Sequence, residues 1–303
     1  MPPSPPSPVR VRNWTIGVIV IVVALAAAWW YVGRYDTKGS ATDAGRRDAA
    51  GEAARGGPPD REGEHEPERA EVRERERQWA ALMGSPPLWP ADGNDPADCD
   101  EVERSLQQVC RAFEARPYLH RHDDLCGLLR QIAEELAARP PALSSELRSH
   151  DAVVGNVFHL FRVLGRERLG ALRQLLREED RLAEPLAMAT YRWLVSRERC
   201  TNGDTPVSSD VLYDYSSFLF NTMGGQAYMR RRSPEVEALA CYYALQVIDE
   251  AVERGHNPWG VDPRPEIARC RQLVAGQPFV FRDRYSDSLM GMERRWAQKG
   301  ERP

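Results

Sequence analysis

The sequence predicts an all-α protein: a single N-terminal transmembrane helix, a disordered tether, then a multi-helix bundle or a short stack of helical hairpins. Three observations predict it. Residues 16–32 form one uninterrupted apolar run, IGVIVIVVALAAAWWYV, while residues 37–78 hold Val72 as their only large apolar side chain. From Asp98 onward, apolar residues recur with a period near 3.6, the mark of helices with one buried face.

The transmembrane reading rests on length. A hydrocarbon core of roughly 30 Å needs about 20 helical residues. Residues 15–33 supply that length without a charge, and Trp29, Trp30 and Tyr31 gather at one end, where an interfacial aromatic belt belongs. Residues 1–14 carry Arg10 and Arg12 and no acid, whereas Arg34 and Lys38 are mixed with Asp36 and Asp43, a bias that makes 1–14 a cytoplasmic tail. The expected address is the inner (cytoplasmic) membrane, with bilayer contact through a signal-anchor at 15–33 and the remainder in the periplasm. A cleaved secretory signal competes, because Ala24-Leu25-Ala26 and Ala26-Ala27-Ala28 both fit a small-x-small cleavage site. The run outlasts a signal core, which favours the anchor.

Residues 34–90, rich in Ala, Gly, Pro, Glu and Arg, read as the tether, since so few apolar side chains cannot offset the entropy of ordering. Residues 66–83 are expected as a solvated helix held by pairs such as Glu71 with Arg75. Gly84, Pro86, Pro87 and Pro90 then mark the boundary of an extracytoplasmic helical domain at 91–303.

Within that domain Val102, Leu106, Val109, Cys110 and Phe113 line a first helix that stops before Pro117. Leu125, Leu128, Leu129, Ile132 and Leu136 line a second, ended by Pro140-Pro141. Leu147, Val154, Val157, Phe158, Phe161 and Leu164 make a third stripe, and Leu169, Leu172, Leu175 and Leu176 a fourth. Leu186, Ala189, Trp193 and Leu194 line a fifth, and Leu212, Tyr215, Phe218, Leu219 and Met223 a sixth. The seventh has a Ser233 cap, Pro234 at its first position, an inward face from Val236 to Ala251, and Gly255 as its stop. An eighth spans about 265–274, and Phe279-Val280-Phe281 reads as extended. The seventh and eighth resemble the helical hairpins of tetratricopeptide and related repeats, without a fixed period across the domain.

Net charge is −4 with a pI near 6.0, and no basic stripe interleaved with aromatics is present, which excludes the electrostatic footprint of a nucleic-acid binder. Of the 41 basic residues only Lys38 and Lys299 are lysines, so the choice of arginine at any one site says little. No Gly-x-Ser-x-Gly, Gly-rich phosphate loop or Cys-x-x-Cys-His occurs, and no catalytic residue, cofactor or metal is assigned.

All six cysteines lie beyond the apolar run, in a compartment where disulfides are the default. Cys110 and Cys126 sit nearly equidistant from the turn around Pro117, so antiparallel helices bring them level. Cys241 and Cys270 are similarly disposed across the turn at 255–258. Cys99 and Cys200 remain as a third pair or as free thiols. The competing use of Cys99, Cys110, His120, His122 and Cys126 is a zinc site, although their spacing lacks a Cys-x-x-Cys pair.

Two resemblances bear on function. His122, His150-Asp151 and then Asp180, Asp204 or Asp210 resemble the ligand order of the HD-domain phosphohydrolases, which are all-α and would imply a metal-dependent hydrolase. In layout the chain resembles the lipase-specific foldases: an inner-membrane anchor, an Ala/Pro-rich tether, and a helical periplasmic body that grips a client. Their Arg-x-x-Phe-Asp-Tyr-type motif has a partial counterpart in Tyr213-Asp214-Tyr215, with Asp210 in place of the arginine and no Leu-Ser-Ala continuation. The function expected is a tethered helical scaffold or client-binding module that engages another envelope protein, with the HD-type hydrolase as the alternative.

Overall fold

The computed structural model describes residues 66–84, 89, 99–113, 124–143, 155–178, 182–230 and 232–300. Among them the chain is helical throughout, without a strand: α1 Glu66–Met83, α2 Cys99–Arg111, α3 Leu125–Ala137, α4 His159–Glu178, α5 Ala183–Val195, α6 Arg197–Cys200, α7 Ser209–Asn221, α8 Met223–Met229, α9 Pro234–Glu253, α10 Arg264–Ala275 and α11 Arg282–Gly300. No helix among the described residues is long and apolar enough to cross a membrane. The apolar run at 16–32 lies outside them.

Helix α9 is the centre. Its sequence is apolar on nearly every face, so it needs partners all round, and it packs against α5, α7, α8, α10 and α11. Ser233 starts it, its hydroxyl accepting the Val236 amide at 3.4 Å, and Gly255 ends it at φ 79°, a left-handed turn that favours glycine. α10 folds back along α9, and α11 along α10, which makes the C-terminal third a succession of hairpins.

The N-terminal part is built on α2. It pairs with α3 in a hairpin and with α5 across a long stretch of sequence. Glu103 joins all three: its carboxylate accepts from Arg130 on α3 and, at 3.0 Å, from the Trp193 indole on α5. α4 carries a break at Gly165 (φ 73°), so the third and fourth apolar stripes are two segments meeting at one glycine. Gly224, in α8, faces the Asn156 backbone, and a Cβ there would lie 2.7 Å from that carbonyl oxygen. Its lack of a side chain is what lets the two backbones approach.

Three expectations are corrected. The helix at 66–83 forms, but it is not solvated all round: Arg75 and Trp79 are buried, Arg75 donates to Glu235 of α9 at 2.7 Å, and Trp79 packs edge-on against Phe281. Together with Trp89, which meets Phe281 and Tyr285, α1 belongs to the folded body. Met223 is not on the buried stripe of α7; Thr222 is extended and ends that helix, leaving Met223 69% exposed at the start of α8. Residues 279–281 are a turn rather than a strand, and their amides are taken by a buried side chain. Glu184 of α5 accepts from Val280 N at 2.9 Å and Phe281 N at 3.1 Å, immediately ahead of α11.

Two buried groups titrate in opposite directions. Burial pushes Glu184 up to about 7 against the pull of those amides, the Tyr285 hydroxyl and Arg75. Burial, with Arg162 and Arg139 nearby, pushes the His159 imidazole down to about 4 as it bonds the Tyr215 hydroxyl at 2.6 Å. Glu184 holds its proton longer in the folded chain, so its contribution to stability is lost as pH rises from about 4.5 to about 7. His159 resists protonation, so its contribution is lost as pH falls from about 6.5 to about 4. Each spans about 3 kcal/mol. Urea unfolding between pH 4.5 and 7 should therefore give difference curves of opposite slope: relative to wild type, Glu184→Gln improves as pH rises and His159→Phe worsens. Glu184→Gln should also lose about 1 to 3 kcal/mol at low pH, because its NH2 leaves one buried amide facing a donor.

Candidate functional site

Among the described residues a concavity lies where α7 begins and α9 ends. Antiparallel packing brings the first turn of α7 beside the last turn of α9, and α6 closes the third side. The result is an open groove of about 260 Å³. Its floor is aliphatic, formed by Val195, Leu212 and Val247, and its rim is charged, with Glu198 and Arg199 on one side and Glu250 and Arg254 on the other.

α6 is four residues long and has no buried residue of its own, so propensity does not hold it in place. Three contacts do. Cys200 is bridged to Cys99 at the start of α2, with Cα atoms 5.6 Å apart. The Arg197 guanidinium lies 5.1 Å from the Trp193 ring centre. Glu198 accepts the Ser209 amide at 3.1 Å and hydroxyl at 2.8 Å, which sets a carboxylate at the positive end of the α7 dipole. Opposite, Arg254 lies 3.9 Å from Glu250. Val195 is 38% exposed on the floor.

Next to the groove, residues 256–261 fold over α7. The Trp259 indole donates to Asp214 at 2.6 Å, Asn257 accepts from Tyr213, and His256 lies 3.6 Å from Asp210. Burial holds Asp214 above the usual carboxylate range despite the Trp259 bond. These bonds are satisfied within the fold and hold the loop that flanks the groove.

The comparisons with known proteins find no matching family, no similar curated protein and no similar solved structure.

The structure brings together part of what the sequence singled out. Cys110 and Cys126 are bonded across the α2–α3 hairpin, with Cα atoms 5.6 Å apart, and Cys99 pairs with Cys200. Those bonds occupy the three sulfurs of the zinc alternative; His120 and His122 lie outside the described residues. Cys241 and Cys270 face one another as thiols rather than as the expected bridge. Of the residues that resemble the HD pattern, His122, His150, Asp151 and Asp180 lie outside the described residues, while Asp210 is 71% exposed and pairs with His256. Among the described residues no group of three His, Cys, Asp or Glu side chains is placed to hold a metal ion. Tyr213 and Tyr215 are buried in the core, so Tyr213-Asp214-Tyr215 presents no motif to a client.

Of the groove residues, the sequence places Leu212 and Val247 on buried stripes and none of them in a site. One signal was present: Val195 falls two residues after Trp193 and therefore points away from the Leu186, Ala189, Trp193 stripe.

Cys99–Cys200 closes a loop with a sequence separation of 101. Chain entropy gives such a bridge about 4.7 kcal/mol, against about 3 kcal/mol for the shorter Cys110–Cys126 loop. Replacing Cys99 and Cys200 by serine should lower the urea midpoint more than replacing Cys110 and Cys126, and should loosen α6 and the groove. Equal midpoints in the two double variants would contradict this.

Proposed function

We propose that this chain is a membrane-tethered helical module whose α6/α7/α9 groove binds a segment of another envelope protein. The observation that carries the reading is the groove: Val195 exposed beside the buried Leu212 and Val247, under a rim carrying both charge signs, on walls fixed by a disulfide and a capping carboxylate. An apolar strip gives such a site its affinity, and paired charges of both signs give it orientation and selectivity. Two disulfides suit an oxidising compartment, and the apolar run at 16–32 supplies the anchor that places the body there. In this reading residues 34–65 are the tether, with a coil-like reach of about 30 Å.

A photo-crosslinking residue at Val195 of the full-length protein in native membranes tests this, with Met290 on α11, equally exposed, as the control. A discrete adduct with an envelope protein from position 195 and none from position 290 is the expected result. Identical adducts from both positions, none from either, or a cytoplasmic protein as the captured partner would contradict the proposal.

A further inference from the structure

Cys241 and Cys270 are the two thiols left over by the disulfides, and they meet across the α9–α10 hairpin. The Cys241 sulfur lies 3.9 Å from the Glu266 carbonyl oxygen on α10, and the Cys270 sulfur lies 3.9 Å from the Ala238 carbonyl oxygen on α9. Each thiol thus leans onto the backbone of the opposite helix, and the Cys241 and Cys270 side chains are hydrogen-bonded to one another. Both residues are 0% exposed.

We propose that Cys241 and Cys270 form an oxidisable dithiol, closed to a third cross-link by exchange with a small-molecule disulfide such as oxidised glutathione when the α9–α10 hairpin opens. The exchange balances in two steps. The Cys241 thiolate, its proton passed to solvent, attacks one glutathione sulfur, and the other half leaves as glutathione thiolate. The Cys270 thiolate then attacks the Cys241 sulfur of that mixed disulfide and expels the second glutathione. Two protein thiols are oxidised, and one glutathione disulfide is reduced to two thiols.

Burial makes the step conditional. The thiol–thiol contact and burial hold the Cys241 thiol well above its usual range, so the closed hairpin offers no thiolate and no path for an oxidant. Reaction proceeds only through local opening, after which the bridge joins α9 to α10. Because α9 also carries Val247, Glu250 and Arg254, the bridge would stiffen one wall of the groove. The chemistry itself does not depend on the groove's being a binding site.

The test uses the full-length protein in detergent, treated with oxidised glutathione, quenched by alkylation and mapped by peptide mass spectrometry without reduction. The expected product is a cross-link between the peptides holding Cys241 and Cys270, formed at least about tenfold faster in sub-denaturing urea and accompanied by a higher melting temperature. A Cys241→Ser variant should instead stop at a glutathione adduct on Cys270. Stable glutathione adducts on both cysteines of the wild type would overturn the proposal, as would two alkylatable thiols persisting after opening in urea. The wild-type map decides the question even if the variant fails to fold.

Discussion

Helix α9 is covered along nearly its whole length, with only its ends, at Pro234, Glu250 and Glu253, exposed. Thirteen of its residues are buried, among them Leu239, Ala244, Leu245 and Ile248, and its polar side chains are bonded inward as well. Gln246 donates to Ser288 at 2.7 Å, and Asp249 accepts from Trp296 at 2.9 Å and from Arg295, all three on α11. A helix of this composition cannot stand alone, and five other helices exist in their places because they cover it. The groove is a consequence of that packing: it opens where α5, α6 and α7 stop covering the last turn of α9.

The N-terminal part is held by a different balance. α2 is a short amphipathic helix with a single buried stripe of Val102, Leu106, Val109 and Cys110. Covalent and charge-assisted contacts add to it. Cys110–Cys126 and Cys99–Cys200 fasten opposite ends of α2 to different partners, and Glu103 bridges between them. Cross-links matter most where loop closure is long and the apolar interface is small. α1 is seated in turn on the C-terminal hairpins, through Arg75 on Glu235 and Trp79 on Phe281, which brings the start of the described chain next to its far end.

The legible parts of the sequence were those whose period is set by one buried face. α2, α3, α5 and α9 follow from their stripes, α9 also from its Ser233 cap, and the Cys110–Cys126 bridge follows from two helices of similar length about one turn. The illegible parts depend on partners distant in sequence. α1 reads as solvated because its buried residues, among those described, are one tryptophan and one arginine, and Arg75 is recognisable as buried only once Glu235 lies opposite. α11 was missed although Tyr285, Leu289 and Met292 recur at helical spacing, because charges between them hide the stripe. The turn at 279–281 imitates a strand until Glu184, nearly a hundred residues earlier, takes its amides. The groove is invisible in the sequence for a related reason: its floor draws one residue from each of three helices, and none of them departs from its own helix's pattern except Val195.

α9 is the element that the rest of the structure covers. Native-state hydrogen exchange of the intact, oxidised protein measures this directly, since amides that open only with global unfolding report the core that holds the fold. The amides of α9 from Leu239 to Ile248 should exchange most slowly of all, at rates that track global stability as denaturant is added, with α1 and the outer face of α11 opening earlier. Exchange in α9 as fast as in α11, or a slowest core confined to the disulfide-bonded α2 and α3, would contradict it.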